Sequence, residues 1–441
     1  MDYNIEKDSK EWIKKNIVSE DYIKRSITRF TEGNIVLIGM RRLGKTEYLK
    51  YRLSLIKKDD VSIQITTYDG DYSSTSESES GAPVLFVDFD NPRFSTVDFD
   101  KKDSTSFAEV TNQIMDLLDS GRYETLMIDE IQRRPEWTKW LKGMVDKYNW
   151  ITFIATGSDA AAIGEETGLD RFQIIEIGVL SFNEYLNLSS LQILGRDKFR
   201  DYINDPVMPG KSIREDVSLQ YESVYEKQYK TKNFKLANIS AIMNWISVNP
   251  GSQIKVSKLT ASINEKYNTS ISDEQVKKII GFLEDSKMIF SLGDSYTGAR
   301  RKVTKKVYYT TNWNVYKFAT KYENYNDLGT DTVPRSGLIY ENAVISSIRS
   351  TLFTKQEISN LKFYEKDNVD CDFELYGDKY EIKSFDVFSG GHAPELAKLV
   401  NIKSKLTITV LHEGETKFYK GIQFISTTEF LKGESWKQKT K

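Results

Sequence analysis

Cysteine is almost missing from this sequence. One thiol, Cys371, in 441 residues excludes an internal disulfide framework and a cysteine-ligated zinc site, and fits a reducing cytosol. Histidine is nearly as scarce: His392 and His412 argue against a histidine-based metal centre and against a Ser-His-Asp triad. No apolar run approaches the length of a membrane span, so no membrane partner is expected. The first residues, Met1-Asp-Tyr-Asn-Ile-Glu-Lys7, carry both signs of charge where a signal peptide needs an apolar core. An excess of one charge is missing too, with 62 Lys and Arg against 64 Asp and Glu. Any nucleic-acid surface must therefore be a local patch, not a global field. No repeat of fixed period is present. What remains, 39% apolar and 29% charged residues, reads as a soluble, cytoplasmic chain of two or three globular domains.

Against that background one stretch stands out. Gly39-Met-Arg41-Arg42-Leu43-Gly44-Lys45-Thr46 follows the apolar run Asn34-Ile-Val-Leu-Ile38 and precedes a helical pattern from Glu47 to Ile56. Strand, glycine-rich loop and helix at this spacing make a P-loop, G-x-x-x-x-G-K-[ST]. The glycines let backbone N–H groups face phosphate oxygens, and the following helix adds positive potential at its N-terminus. Lys45 is placed to reach the β- and γ-phosphates of ATP, and Thr46 to hold Mg²⁺ through its hydroxyl.

Four further apolar runs read as buried parallel strands: Val84–Phe89, Thr125–Asp129, Trp150–Ala155 and Phe172–Ile177. Helical patterns separate them. One begins at Pro135 and carries the stripe Trp137, Leu141, Met144, Val145 and Tyr148. The alternation predicts a doubly wound α/β domain. The second strand of this set ends in Asp129-Glu130, where Asp129 is expected to bind Mg²⁺ and Glu130 to polarise the attacking water as general base. The next ends in Ala155-Thr156-Gly157-Ser158. A hydroxyl there can orient water or sense the γ-phosphate, Thr156 before Ser158, and strand-end capping is the plain alternative. Arg171 is a candidate finger reaching a neighbour's γ-phosphate in a homo-oligomer, unless it only pairs with Asp170 or Glu176. Residues 61–67 alternate as a hairpin strand would, and the Ser- and Glu-rich stretch 70–81 reads as an exposed loop.

Downstream, 187–235 read as a polar helical bridge. From Leu236 the pattern is three short helices, the third N-capped by Ser272, then two strands flanking Arg300-Arg301-Lys302-Val-Thr-Lys305-Lys306. Three helices and a basic hairpin over 236–326 make a winged-helix pattern. Its five cations in seven residues are the expected DNA contact, through phosphates. The third helix mixes Lys277 and Lys278 with Asp273, Glu274 and Glu284, so base-specific readout is not expected. Residues 334–432 return to mixed helices and strands.

The stretches Ile38–Thr46, Met127-Ile-Asp-Glu-Ile-Gln132, Ala155–Ser158 and Leu180-Ser-Phe-Asn-Glu-Tyr-Leu186 together resemble a prokaryotic AAA-type P-loop ATPase family. The resemblance covers about residues 1–186, the expected ATPase domain. In that family the module is joined to a nuclease-like C-terminal domain. The usual Gly before the arginine aligned with Arg171 is here Asp170. The C-terminal order agrees: Glu341 on a helix, Asp372 on a strand, and Glu381-Ile-Lys383 on the next resemble the restriction-endonuclease-like, PD-(D/E)xK, fold. Asp372 and Glu381 on adjacent strands can share one divalent cation, with Glu341 as outer ligand. Lys383, two residues from Glu381 and on the same face, is placed to activate the attacking hydroxide. The resemblance implies a DNA-associated ATPase, or alternatively a signalling or assembly ATPase whose C-terminal domain docks a protein partner.

Overall fold

The structure, a computed structural model, describes residues 5–16, 26–40, 43–59, 83–90, 105–134, 136–158, 171–188, 197–204, 234–267, 269–293, 305–309, 336–366, 369–389, 391–403 and 406–433. Several expectations lie outside these residues: the phosphate-loop residues Arg41 and Arg42, the stretches 61–67 and 70–81, Pro135, Asp170, much of the bridge and the wing residues Arg300, Arg301 and Lys302. The described residues fall into two compact units, Met1–Ile177 and Gly178–Lys441.

In the first unit, α1 (Ile5–Asn16) and a short 3₁₀ turn (Ser26–Arg29) precede β1 (Ile35–Ile38). There follow α2 (Lys45–Asp59), β2 (Val84–Asp88), α3 (Thr105–Asp119), β3 (Thr125–Asp129), α4 (Trp137–Lys147), β4 (Thr152–Gly157) and β5 (Gln173–Glu176). All five strands are parallel, in the order β2-β3-β4-β1-β5. Helices on both sides explain why the strands read as continuous apolar runs rather than alternating ones. The α4 stripe Trp137, Leu141, Met144 and Val145 is buried against the sheet with Tyr148 behind it. β4 starts two residues later than its apolar run suggests. Trp150 is instead spent in the turn after α4, where it is 60% exposed and Ile151 N donates to Tyr148 O at 3.0 Å.

Edge strand β2 is covered by α1. Trp12 stacks on Phe86 with ring centres 3.6 Å apart, and Ser9 Oγ accepts the Phe86 N–H at 2.9 Å. The serine satisfies a donor that an open edge would leave for another chain. Strand register matters most for function: Asp88 lies opposite Asp129, Ile128 opposite Ala155, and Ile38 opposite Gly157. The C-terminal ends of β1, β2, β3 and β4 thus share one edge, where open α/β sheets bind ligands.

The second unit opens with α5 (Phe182–Leu188) and α6 (Asp197–Asn204). The Leu180–Leu186 stretch, grouped with the ATPase domain on sequence, falls in the second compact unit and packs there. Phe182 N donates to Ser347 Oγ at 2.9 Å, and Phe182 meets Phe199 and Tyr202 edge-on. Ser181 and Glu184 exchange hydrogen bonds, Glu184 N to Ser181 Oγ at 3.2 Å and Ser181 N to Glu184 Oε2 at 3.0 Å. The motif is a buried capping box that starts α5.

Next come α7 (Leu236–Val248), α8 (Val256–Tyr267) and α9 (Asp273–Asp285), followed by the antiparallel pair β6 (Ile289–Gly293) and β7 (Lys305–Tyr309). Ser272 is the N-cap of α9, and a capping box with Gln275 closes its first turn. Gln253 adds an isolated antiparallel bridge to Lys306. After α10 (Ser336–Arg349) and the short α11 (Lys355–Ile358), strands β8 (Leu361–Lys366), β9 (Val369–Leu375) and β10 (Asp378–Ile382) form an antiparallel meander. Helix α12 (Ala393–Lys403) then crosses to β11 (Thr409–His412), parallel to β10. β12 (Lys417–Tyr419), β13 (Ile422–Ser426) and α13 (Thr427–Gly433) complete the unit, and the sheet order is β12-β13-β11-β10-β9-β8.

Candidate functional site

The loop between β1 and α2 is shaped by its glycines. A Cβ on Gly39 would overlap the Ile177 carbonyl oxygen, so only glycine lets the loop leave β1 so close to the end of β5. Gly44 has φ 88°, in the left-handed region that favours glycine. Leu43 and Met40 are buried and anchor the loop to the core. Lys45, the first residue of α2, is 4% exposed, and its Nζ donates to the carbonyls of Gly39 at 3.0 Å and Met40 at 2.8 Å. The ammonium is held at the mouth of the loop on weak neutral acceptors, which phosphate oxygens outcompete as charged ones.

Beside it, three elements converge. Thr46 Oγ1 donates to Asp129 Oδ2 at 2.7 Å, and Thr156 Oγ1 donates to Asp129 Oδ1. Because β4 lies between β1 and β3, Thr156 sits against the acid that ends β3, and it is fully buried there. The same hydroxyl accepts the Glu130 N–H at 3.2 Å. Burial pushes the Asp129 carboxyl above its ordinary range, against the hydrogen bonds from Thr156 and Thr46. A buried carboxylate with two hydroxyl donors and a lysine nearby is a cation site in its chemistry. Thr46 and Asp129 thus fit Mg²⁺, and Lys45 with the loop fits the phosphates.

Glu130 takes a left-handed backbone, φ 53° and ψ 47°, which costs a non-glycine residue about 1–2 kcal/mol. The conformation turns the chain into the 3₁₀ turn Ile131–Arg133. Its carboxylate is gripped by Ser158, whose Oγ lies 2.9 Å from both Oε1 and Oε2, and by Gln132 Nε2. The two hydroxyls considered for one task are therefore divided. Thr156 organises Asp129 and the Glu130 backbone, and Ser158 aims the Glu130 carboxylate.

The sequence reading passed over Asp88. It ends β2 directly opposite Asp129, accepts the Asp90 N–H at 2.8 Å, and is pushed up to about 6 by burial, with Asp129 and Glu130 adding to the rise. The signal was an acid closing an apolar strand, as at Asp129. Arg171 is exposed, two residues before β5, and is ion-paired with Asp146 on α4.

The second unit gathers the other candidates. Glu341 Oε1 accepts from Tyr308 OH at 2.8 Å. Asp372 Oδ2 accepts the Ile382 N–H at 2.6 Å across the β9–β10 step. Lys383 Nζ lies 3.0 Å from Glu381 Oε1 and 2.8 Å from Glu395 Oε1 on α12, so Lys383 and Glu381 do share a face. Burial, then the Asp372 charge, push both Glu341 and Glu381 above the ordinary carboxylate range. Among the described residues, however, no three or more His, Cys, Asp or Glu side chains come together to hold a metal ion.

Lys306, on β7, is partly buried. Burial lowers its basicity, but Asp372, Glu341, Asp370 and Glu381 together outweigh that and hold its pKa above the ordinary lysine value. Tyr308, two residues on and so on the same strand face, is the residue bonded to Glu341. Lys305 opens β7. Buried Cys371 is pushed up to about 12 by burial and the neighbouring acids, which makes it an inert thiol. A cavity of about 420 Å³ bordered by Arg200, Tyr340, His412, Glu413 and Glu429 uses none of these candidate residues. No helix among the described residues is long and apolar enough to cross a membrane.

No curated relative matches the chain. Among solved structures, the chain is similar to the Aeropyrum pernix Orc1 protein in complex with DNA, at 11% identity and TM-score 0.28, over 73% of this chain and 94% of that one. It is also similar to the Thermotoga maritima RuvB Holliday junction branch migration motor, at 11% identity and TM-score 0.25, over 65% and 89%. A family model described as an AAA domain matches residues 31–186. The loop, Lys45, Asp129 and the five-stranded parallel sheet all lie within the part of the chain that this AAA domain model matches.

Proposed function

We propose that the chain hydrolyses ATP as a DNA-associated switch or motor. The observation that carries this reading is the hydroxyl–carboxylate chain Thr46–Asp129–Thr156 at the mouth of the Lys45 loop, with Glu130 held by Ser158 beside it. In this reading Gly39, Leu43, Gly44 and Lys45 cradle the phosphates, joined by Arg41 and Arg42. Thr46 and Asp129 hold Mg²⁺, which when bound neutralises charge on the phosphate oxygens. Glu130 takes a proton from water at its carboxylate, and Ser158 keeps that carboxylate on aim. Arg171 serves a neighbouring subunit's site once it leaves Asp146. Purified protein should release phosphate from ATP. Lys45→Ala should abolish turnover, and Glu130→Gln should retain nucleotide binding while losing hydrolysis. No turnover of any nucleotide, with or without DNA, sinks the proposal.

The DNA part rests on two modules of the second unit. Helices α7–α9 with the β6–β7 hairpin and the Gln253 bridge support the winged-helix reading. Helix α10, the β8–β10 meander, and α12 crossing to parallel β11 support the nuclease-like reading by topology. A second reading is favoured by the lysine-neutralised carboxylates. In it the C-terminal module does not cut DNA but docks a protein partner, and ATP controls assembly. Wild type and Asp372→Ala leaving DNA equally intact in Mg²⁺ or Mn²⁺ supports the second reading; cleavage lost in the variant supports a nuclease.

A further inference from the structure

We infer that Asp90 and Arg133 are positioning residues for Glu130: their ion pair pins the turn that carries the base to the end of β2. The inference rests on the proposed ATP hydrolysis and adds two residues outside the phosphate loop and the Thr46–Asp129 pair.

Glu130 has to be held. Its backbone lies at φ 53° and ψ 47°. A non-glycine residue keeps such a left-handed conformation only when its surroundings over-determine it. Its N–H is fixed by Thr156 Oγ1 at 3.2 Å, and its carbonyl accepts the Arg133 N–H at 3.0 Å. The first bond ties the entry of the turn to β4, and the second closes the turn on itself. Side chains tie its far end to β2. Arg133 Nη2 donates to Asp90 Oδ1 at 2.6 Å across 43 positions of sequence. The Arg134 guanidinium lies 4.5 Å from the centre of the Trp140 ring, and Trp140 meets Phe89 edge-on at 6.4 Å.

Asp90 is itself anchored. Its N–H donates to Asp88 Oδ1 at 2.8 Å, and the Phe89 N–H donates to the Asp129 carbonyl at 3.1 Å. The anchor is thereby fastened to the residue that precedes Glu130, and Arg133, Asp90, Phe89 and Asp129 close a ring that includes the base. Gln132 carries this ring to the carboxylate. It sits in the same turn, and its Nε2 donates to Glu130 Oε2. Its amide lies against β4, where a Cβ on Gly157 would come within 3.2 Å of Oε1. A turn that swings away from β2 takes Gln132 with it and leaves the carboxylate to Ser158. A misplacement of about 1 Å at a reacting group costs on the order of 10²-fold in rate. The Arg133 and Asp90 side chains are 47% and 43% exposed, so the pair adds little to global stability and its effect is local.

The experiment uses the full chain and the variants Arg133→Ala, Arg133→Lys, Asp90→Ala and Asp90→Ala combined with Arg133→Ala. ATP turnover, melting temperature and amide hydrogen exchange of residues 130–134 are measured on each. Each single alanine variant should lose about 10- to 100-fold in kcat, with KM and melting temperature close to wild type. The double variant should lose no more than the worse single one, and Arg133→Lys should recover most of the loss. Exchange at 130–134 should quicken in both alanine variants. Losses that add in the double variant overturn the inference, because two residues acting through one contact cannot add. So does a rise in KM at unchanged kcat, which would place Arg133 on the nucleotide. A loss of kcat that tracks a fall in melting temperature assigns the pair to the fold alone and overturns it too. If wild type turns over no nucleotide, the ATP reading fails by itself. Exchange then decides the pin without activity: unchanged exchange at 130–134 overturns it, and faster exchange in both alanine variants upholds it.

Discussion

At the scale of the residue, the proposed ATP site is a division of labour between two hydroxyls two positions apart. Thr156 donates to Asp129 and accepts from Glu130 N, while Ser158 holds the Glu130 carboxylate. Thr156→Val should leave a buried carboxylate oxygen and a backbone N–H unpaired, costing about 1–3 kcal/mol by denaturant titration along with activity. Ser158→Ala leaves the core intact and releases only the base. It should lower kcat by up to about 10²-fold with little change in KM or melting temperature. Asp88 gives a pH test. Its folded pKa, about 6, lies above the ordinary aspartate value of 3.8, so folding favours the protonated acid. The cost of ionising it is absent below the unfolded pKa, grows as pH rises through the interval between the two values, and is fully present above about 6. Asp88→Asn keeps the oxygen that accepts from Asp90. Its melting temperature should match wild type in acid and exceed it at neutral pH; a gain that is constant with pH would contradict the burial account.

At the scale of the element, local signals and packing agree in some places and part in others. Strands β1 to β4 of the first unit were legible because they are buried on both faces and so written in apolar residues. The Ser272 cap was legible because the capping box is a local pattern. Ser272→Ala should cost about 1 kcal/mol, read as a lower denaturant midpoint with unchanged slope. The same local pattern at Ser181 and Glu184 went unread. It lies just before α5, where Phe182 packs with Phe199 and Tyr202. The β7 strand was legible as a strand, but its facing was not. Charge density at Arg300–Lys306 suggests an exposed wing, and only the structure shows that the end of β7 is buried, with Tyr308 and Tyr309 bonded to Glu341 and Asn342.

At the scale of the whole molecule, the near balance of 62 basic and 64 acidic residues makes any DNA affinity a property of the patch. With Lys306 partly buried, Arg300, Arg301, Lys302 and Lys305 remain. If all four meet phosphates, the logarithm of the binding constant should fall with the logarithm of salt with a slope of about −3 to −4. Retardation assays across a salt series should give that slope, and Lys306→Met should leave it unchanged. A slope near zero, or no retardation at low salt, would favour the protein-docking reading.

The sequence by itself determined the chemistry that is local in the chain. A glycine loop between strand and helix, an acid pair closing an apolar run, and caps at helix starts depend on neighbours a few residues away. Tertiary structure alone decided which distant groups meet. It put β4 between β1 and β3, so that Thr156 touches Asp129, set Asp88 opposite Asp129 by register, and set Tyr308 of β7 against Glu341. The physical reason is that charge and hydroxyl side chains look alike in sequence whether they face water or one another. Only the strand order and the packing of Tyr308 and Tyr309 fix the direction in which they point.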